Sequence, residues 1–180
     1  IDWFFARPEG SHYGTYLEKH GYTYPTSECH GSPRPKHFPS DKKPWQSTVP
    51  FEHNLEKWTA DVTIDFIESC AGRSEPFFVQ MSFERPHGPW DIPDELADRI
   101  DPAQVPLDDP ETADQLLRLP RICLEGRMDG CSNTWRSKEA FRKLAACYFT
   151  IIEHIDDQIG RVLRRLESLG IRASTHIVFV

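Results

Sequence analysis

Phe77-Phe78-Val79-Gln80-Met81-Ser82-Phe83, then the run from Ser137 to Leu169, then His176-Ile177-Val178-Phe179-Val180, form the stretch on which the fold turns. The first piece is short and aromatic. Pro76 bounds it on one side and Glu84-Arg85-Pro86 on the other. Such a run predicts a strand covered on most of both faces, as in the middle of an α/β sheet. From Ser137 to Leu169 apolar residues recur at Phe141, Leu144, Tyr148, Ile151, Ile155, Ile159, Val162, Leu166 and Leu169. Each step is three or four residues, so one stripe of a long helix faces a core. Ser137 suits its cap and Gly170 its left-handed end, with a bend near Gly160 as the alternative to a single rod. His176 to Val180 reads as a second strand. Strand, helical crossover and strand make a βαβ unit, whose strands are parallel and whose crossover is right-handed. Ligands of such sheets bind beyond the carboxyl ends of the strands. The segment from Glu84 to Asp91 therefore lies where a site is expected.

Outward from this unit, residues 54–71 also read as a helix. Leu55, Trp58, Val62, Phe66 and Cys70 share a stripe, with Ile67 beside it, Asn54 as cap and Gly72 as terminator. Thr15 to His20 suggest a short helix ending at Gly21, and Asp94 to Arg99 and Pro110 to Leu119 suggest helical turns. Every proline lies at or before Pro120. Residues 1–53 are thus expected to be an irregular, loop-rich insert, and residues 54–180 the ordered α/β part.

The chain has 180 residues and a formal net charge of −7, with 38% hydrophobic residues. An acidic balance excludes a binder that works by neutralising nucleic-acid phosphates. No apolar run reaches the roughly 18 residues of a membrane span. The five cysteines form no C-x-x-C pair, so no zinc ribbon or redox motif is present, although one disulfide is open. The chain opens on Ile1 and stops at Val180 within a strand-like run, from which an internal fragment of a longer protein is expected.

Chemistry concentrates in Arg85-Pro86-His87-Gly88-Pro89-Trp90. Two prolines brace the backbone around His87, and histidine can donate a proton or contact an anion near neutral pH. The competing reading is a loop histidine satisfied by backbone. Glu153, Asp156 and Asp157, with His154 adjacent, could form a carboxylate metal cluster. A polar helix face with Asp157 paired to Arg161 is the preferred reading. Cys29, His30 and His37, with His12 and His20 upstream, match no zinc spacing. Trp3, Trp45 and Trp135 could stack on sugars or simply anchor loops.

These residues also carry a resemblance. Trp58 to Ile67, Pro76 to Trp90, Val105-Pro106-Leu107, Tyr148 to Leu163 and His176 to Val180, in this order, resemble the sulfatase family of the alkaline-phosphatase superfamily. The likeness covers residues 54–180. It implies a mixed, largely parallel sheet flanked by helices, of which residues 54–180 are a central part truncated at both ends. It also implies hydrolysis of sulfate monoesters. In the family a cysteine or serine of a C-x-P-S-R motif is oxidised to formylglycine, whose hydrate attacks sulfur. A calcium ion, held by acidic residues and an Asp-Asn or Asp-His pair, polarises the sulfate. A histidine in a P-H-x-P loop contacts the sulfate or the leaving-group oxygen, and it maps here onto His87. Arg85 and Trp90 are then substrate-shaping neighbours. Neither Cys123-Leu124-Glu125-Gly126-Arg127 nor Cys29-His30-Gly31-Ser32-Pro33-Arg34 fits the nucleophile motif. Nucleophile, formylglycine and calcium ligands are therefore expected outside this chain, which alone would be inactive and hold no metal. A phosphonate monoester or phosphodiester hydrolase of the same superfamily, or a non-catalytic paralogue, stays open. The expected partner is a small-molecule or glycan sulfate ester. A periplasmic or extracellular setting is slightly favoured over a cytoplasmic one.

Overall fold

The computed structural model describes residues 11–22, 46–87, 90–106 and 138–180. Three α-helices organise these residues: α1 (His12–Lys19), α2 (Leu55–Cys70) and α3 (Lys138–Ser168). Short 3-10 turns at Phe51–His53, Asp94–Leu96, Pro102–Gln104 and Arg172–Ser174 lie between or after them. Each helix begins or ends where local chemistry dictates. The Ser11 side chain caps α1 by accepting from the Gly14 amide at 2.9 Å. Asn54 caps α2, its Oδ1 accepting from the Lys57 amide at 2.9 Å. Gly72 follows α2 with φ +87 and Gly170 follows α3 with φ +71, the left-handed conformation that ends helices cheaply only in glycine. Beyond Gly170 the Ile171 amide reaches back to the Leu166 carbonyl at 3.1 Å, satisfying an acceptor of the last turn.

α3 has 31 residues, about 46 Å at the usual rise, and runs through Gly160 as one helix. The guanidinium of Arg164 lies over Gly160, where a Cβ would come within 3.1 Å of Nη1. α2 packs against α3 through Ala60, Ile67, Val162 and Leu166, with Ile64, Phe77, Met81, Leu169 and Ile171 at the margin. The buried face of α2 is Glu56, Ala60, Thr63 and Ile67. It is rotated from the expected apolar stripe, for Val62 and Phe66 remain 46% and 41% exposed. The small side chains of Ala60 and Thr63 let the two helices approach, and the bulkier residues are left to the flank. A second cluster joins Tyr13, Leu17 and Val49 to Leu55 and Trp58, docking α1 on the start of α2. A third joins Ile92, Cys147 and Ile151, with Trp90 and Ile155 beside them.

The two expected strands are not formed among the described residues. The parallel bridge between Gln46 and Ile92 is the β-pairing seen there. Residues 76–84 and 175–180 carry no regular hydrogen-bonded structure. Phe77 and Met81 turn towards the α2–α3 core, whereas Phe78 is 87% exposed, so one face is covered and not most of both. Val178 and Phe179 are likewise exposed. A strand closes its backbone hydrogen bonds on a neighbour, so these apolar runs cannot form a ladder by themselves. The expected turn at Asp94 to Arg99 contains the 3-10 turn Asp94–Leu96. The one expected at Pro110 to Leu119 lies outside the described residues, as do Cys29, His30, His37, Cys123, Trp3, Trp45 and Trp135. No described helix is long and apolar enough to cross a membrane.

Candidate active-site loop

His87 is exposed, on the segment that leaves Phe83. Its amide donates to the Glu84 carbonyl at 3.3 Å, which tightens the backbone into a turn. The Arg85–Pro86 peptide is cis. Trp90, three residues further on, donates its indole N–H to the Pro86 carbonyl at 2.8 Å. Its ring meets Tyr148 of α3 edge-on at 6.1 Å and packs against the Ile92–Cys147–Ile151 cluster. Ile92 continues the tie, because its carbonyl accepts from the Ser47 amide at 2.9 Å. The two flanks of His87 are thus bound to each other and to α3.

Arg85 faces inward. Its Nη1 donates to the Asp91 carbonyl, and its Nη2 lies 3.1 Å from Asp91 Oδ1. Its Nε lies 3.3 Å from Glu56 Oε1, an ion-pair contact without the alignment of a hydrogen bond. Glu56 is 2% exposed and Asp91 7% exposed. Burial by itself would lower the Arg85 pKa, but the carboxylates of Glu56 and Asp91 outweigh it, so the guanidinium is held charged. A buried charge is tolerable only when paired in this way. Glu56 belongs to the first turn of α2, where its charge also suits the helix dipole.

A second polar network fills the α2–α3 seam. His154, 2% exposed, sits with its Nε2 2.9 Å from Asn54 Nδ2. The cap bond holds Asn54 Oδ1 on Lys57, so Nδ2 is the group that donates to the ring. The Gln158 Nε2 lies 3.3 Å from His154 Nδ1, and Arg161 donates to Gln158 Oε1 at 2.7 Å and to Asp61 Oδ1. Lys57 closes the chain on Asp61 at 2.8 Å and on Glu52 at 3.0 Å. Burial first, then the charge of Arg99, lowers the His154 pKa to about 4, so the ring is neutral around pH 7. Burial opposes ionisation of Asp61, but Lys57 and Arg161 prevail and lower its pKa.

Among the residues singled out in the sequence, Arg85, His87 and Trp90 come together on one braced segment. The acidic residues of α3 do not converge. Asp157 pairs with Arg99 at 2.6 Å and not with Arg161, which is drawn instead to Asp61 on the facing helix. Glu153 lies 3.9 Å from the same Arg99, so the cluster is an ion-pair face. Among the described residues no group of three His, Cys, Asp or Glu side chains could hold a metal ion, so these residues offer no fit for calcium. Cys70 and Cys147 are free, and burial raises the Cys147 thiol to about 11, which leaves it protonated and unreactive. A shallow groove of about 330 Å³ along Ile64, Arg161, Arg164, Arg165 and Ser168 touches none of the loop residues. The ion pairing of Glu56 and Asp91 with Arg85, and the enclosure of His154 beside Asn54, escape sequence reasoning. The available signal was that Glu56 shares the 56–60–63–67 face with the small residues of the seam.

The sulfatase family model matches residues 1–180, and the chain belongs to the sulfatase family. That family implies an alkaline-phosphatase-like α/β fold, of which the described part is helical. The chain is 33% identical over 140 residues to an arylsulfatase of Clostridium perfringens (strain 13 / Type A), the match covering 77% of this chain and 27% of that protein. It is 26% identical over 142 residues to iduronate 2-sulfatase of Homo sapiens, covering 69% of this chain and 24% of the relative. The chain therefore spans about a quarter of the length of these curated relatives.

Proposed function

We propose that this chain is part of a sulfuric ester hydrolase, and that its contribution to the chemistry is His87. Family membership and the likeness to an arylsulfatase and an iduronate 2-sulfatase support the reaction class. The observation that carries the residue is the exposure of His87 on a turn whose two flanks are tied by Arg85 and Trp90. An imidazole held in this way can hydrogen-bond a sulfate oxygen. It can also deliver its proton to the leaving-group oxygen as the S–O bond breaks and the electron pair stays on that oxygen. Trp90 lines the approach, and Arg85 supports it from behind. The formylglycine nucleophile and calcium of this reading come from outside the described residues. The segments 77–83 and 176–180 serve, in the same reading, as strands of the family's sheet. Their exposed apolar side chains, Phe78, Val178 and Phe179, support this, because such surface is costly to leave in water.

The complete gene product should hydrolyse aryl or sugar sulfate esters, and His87→Ala should lower kcat about a hundredfold or more. A panel of aryl sulfate, sugar sulfate and phosphonate esters checks both statements. Preference for the phosphonates would reassign the substrate. No turnover of any ester would mark a non-catalytic paralogue. Unchanged turnover by the variant on an ester with a poor leaving group would remove His87 from the mechanism.

A further inference from the structure

We infer that Glu56 and Arg85 are positioning residues for His87, with α2 as the fixed body against which the loop is set. This rests on the reading of His87 as the proton donor to the leaving group. The geometry behind it is specific. Arg85 stands two residues before His87 and spends all three of its nitrogens on anchors. Two of them go to the far flank of the loop, at the carbonyl and carboxylate of Asp91, and the third faces Glu56 on α2. One side chain therefore ties the segment before His87, the segment after it and the helix beneath. Glu56 is 2% exposed, and Arg85 and Asp91 are each largely buried, so water does not compete for these contacts. The planar guanidinium fixes orientation as well as distance, which a lysine ammonium would not. The catalytic group itself is outside the clamp and exposed. An arrangement that buries three charges to orient an exposed neighbour fits a role in geometry, where a displacement near 1 Å can cost a reaction up to about a hundredfold.

The test is a double-mutant cycle between Glu56→Gln and His87→Ala in the complete gene product, on sulfate esters with good and poor leaving groups. Glu56→Gln keeps the shape of the side chain and removes the charge that aligns Arg85. The expected result is a loss in kcat of about tenfold on poor leaving groups, with little change on activated aryl sulfates and an unchanged KM. In the His87→Ala background the same substitution should cost nothing further, since both act on one proton transfer. An equal loss on every ester, or a full additional loss in the double variant, would make the clamp a general scaffold and overturn the inference while leaving His87 in place. Near-wild-type turnover by His87→Ala alone would bring down the proposed function and this inference with it. Should Glu56→Gln fail to fold, Asp91→Asn, which weakens the other arm of the clamp and retains its carbonyl, is carried through the same cycle with the same deciding outcomes.

Discussion

The α2–α3 seam and the loop around His87 both bury charged and polar side chains, but they use them in opposite ways. In the seam, a histidine is the guest. His154 is enclosed by Asn54, Gln158 and the ring of Phe51, whose centroid lies 5.2 Å away, and its surroundings keep it neutral. In the loop, the histidine is outside and the charges are inside. Arg85, Glu56 and Asp91 are sequestered while His87 faces solvent. The difference teaches that a histidine's role follows from what surrounds it. A buried imidazole with two amide neighbours is a packing element with a directional bond. An exposed imidazole on a turn held at both flanks can meet a substrate.

That contrast can be tested by variants that should separate stability from chemistry. The largest loss of stability belongs to the seam: Ile67→Ala, at a site 1% exposed, should cost about 3 kcal/mol. Chemical denaturation measures it. His87→Ala should leave the same midpoint unmoved, and a matching loss there would erase the distinction between the two regions. Next in size is a pH effect. The folded pKa of His154 is about 4, and an unfolded histidine titrates near 6.5. Between these values the unfolded chain binds more protons, so stability is present above about pH 6.5 and falls as acid approaches the folded pKa. The span from pH 6.5 to 4.5 corresponds to at most about 2 kcal/mol. His154→Gln should flatten that slope even while lowering the midpoint at pH 7. An unaltered slope would show that another group carries the acid sensitivity. Smallest is Arg99→Ala, which removes the partner of Asp157 and Glu153 at the half-exposed edge of α3. It should cost less than about 1 kcal/mol, and less still in high salt. A larger, salt-independent loss in a denaturation series would mean that this edge belongs with the buried seam.

Much of the scaffold was legible beforehand because helices declare themselves locally. The three-and-four spacing from Leu144 to Leu166, the Asn54 cap and the Gly72 and Gly170 terminators are all properties of adjacent residues, and α2 and α3 follow them closely. The choice of buried face on α2 was not legible. The hydrophobic stripe pointed to Val62 and Phe66, but the approach of α3 selected Ala60 and Thr63. The strand-like runs had the right composition, and a strand needs a partner that composition does not supply. At the candidate site, Pro86 and Pro89 around His87 marked the loop in advance. Its fastening to Glu56 did not show, because nothing in the spacing of residues 56 and 85 signals contact.

From its sequence alone this chain declares two long helical stretches, their ends, a proline-braced histidine and a likeness to sulfatases. These depend on periodicity, capping and short patterns, which act over a few residues. The tertiary structure alone decided that Arg85 turns inward to Asp91 and Glu56, that Asp157 pairs with Arg99, and that His154 is buried and neutral. Those outcomes depend on which groups meet across the chain and how much water remains between them. Desolvation and long-range charge set them, and neither is a property of neighbouring residues.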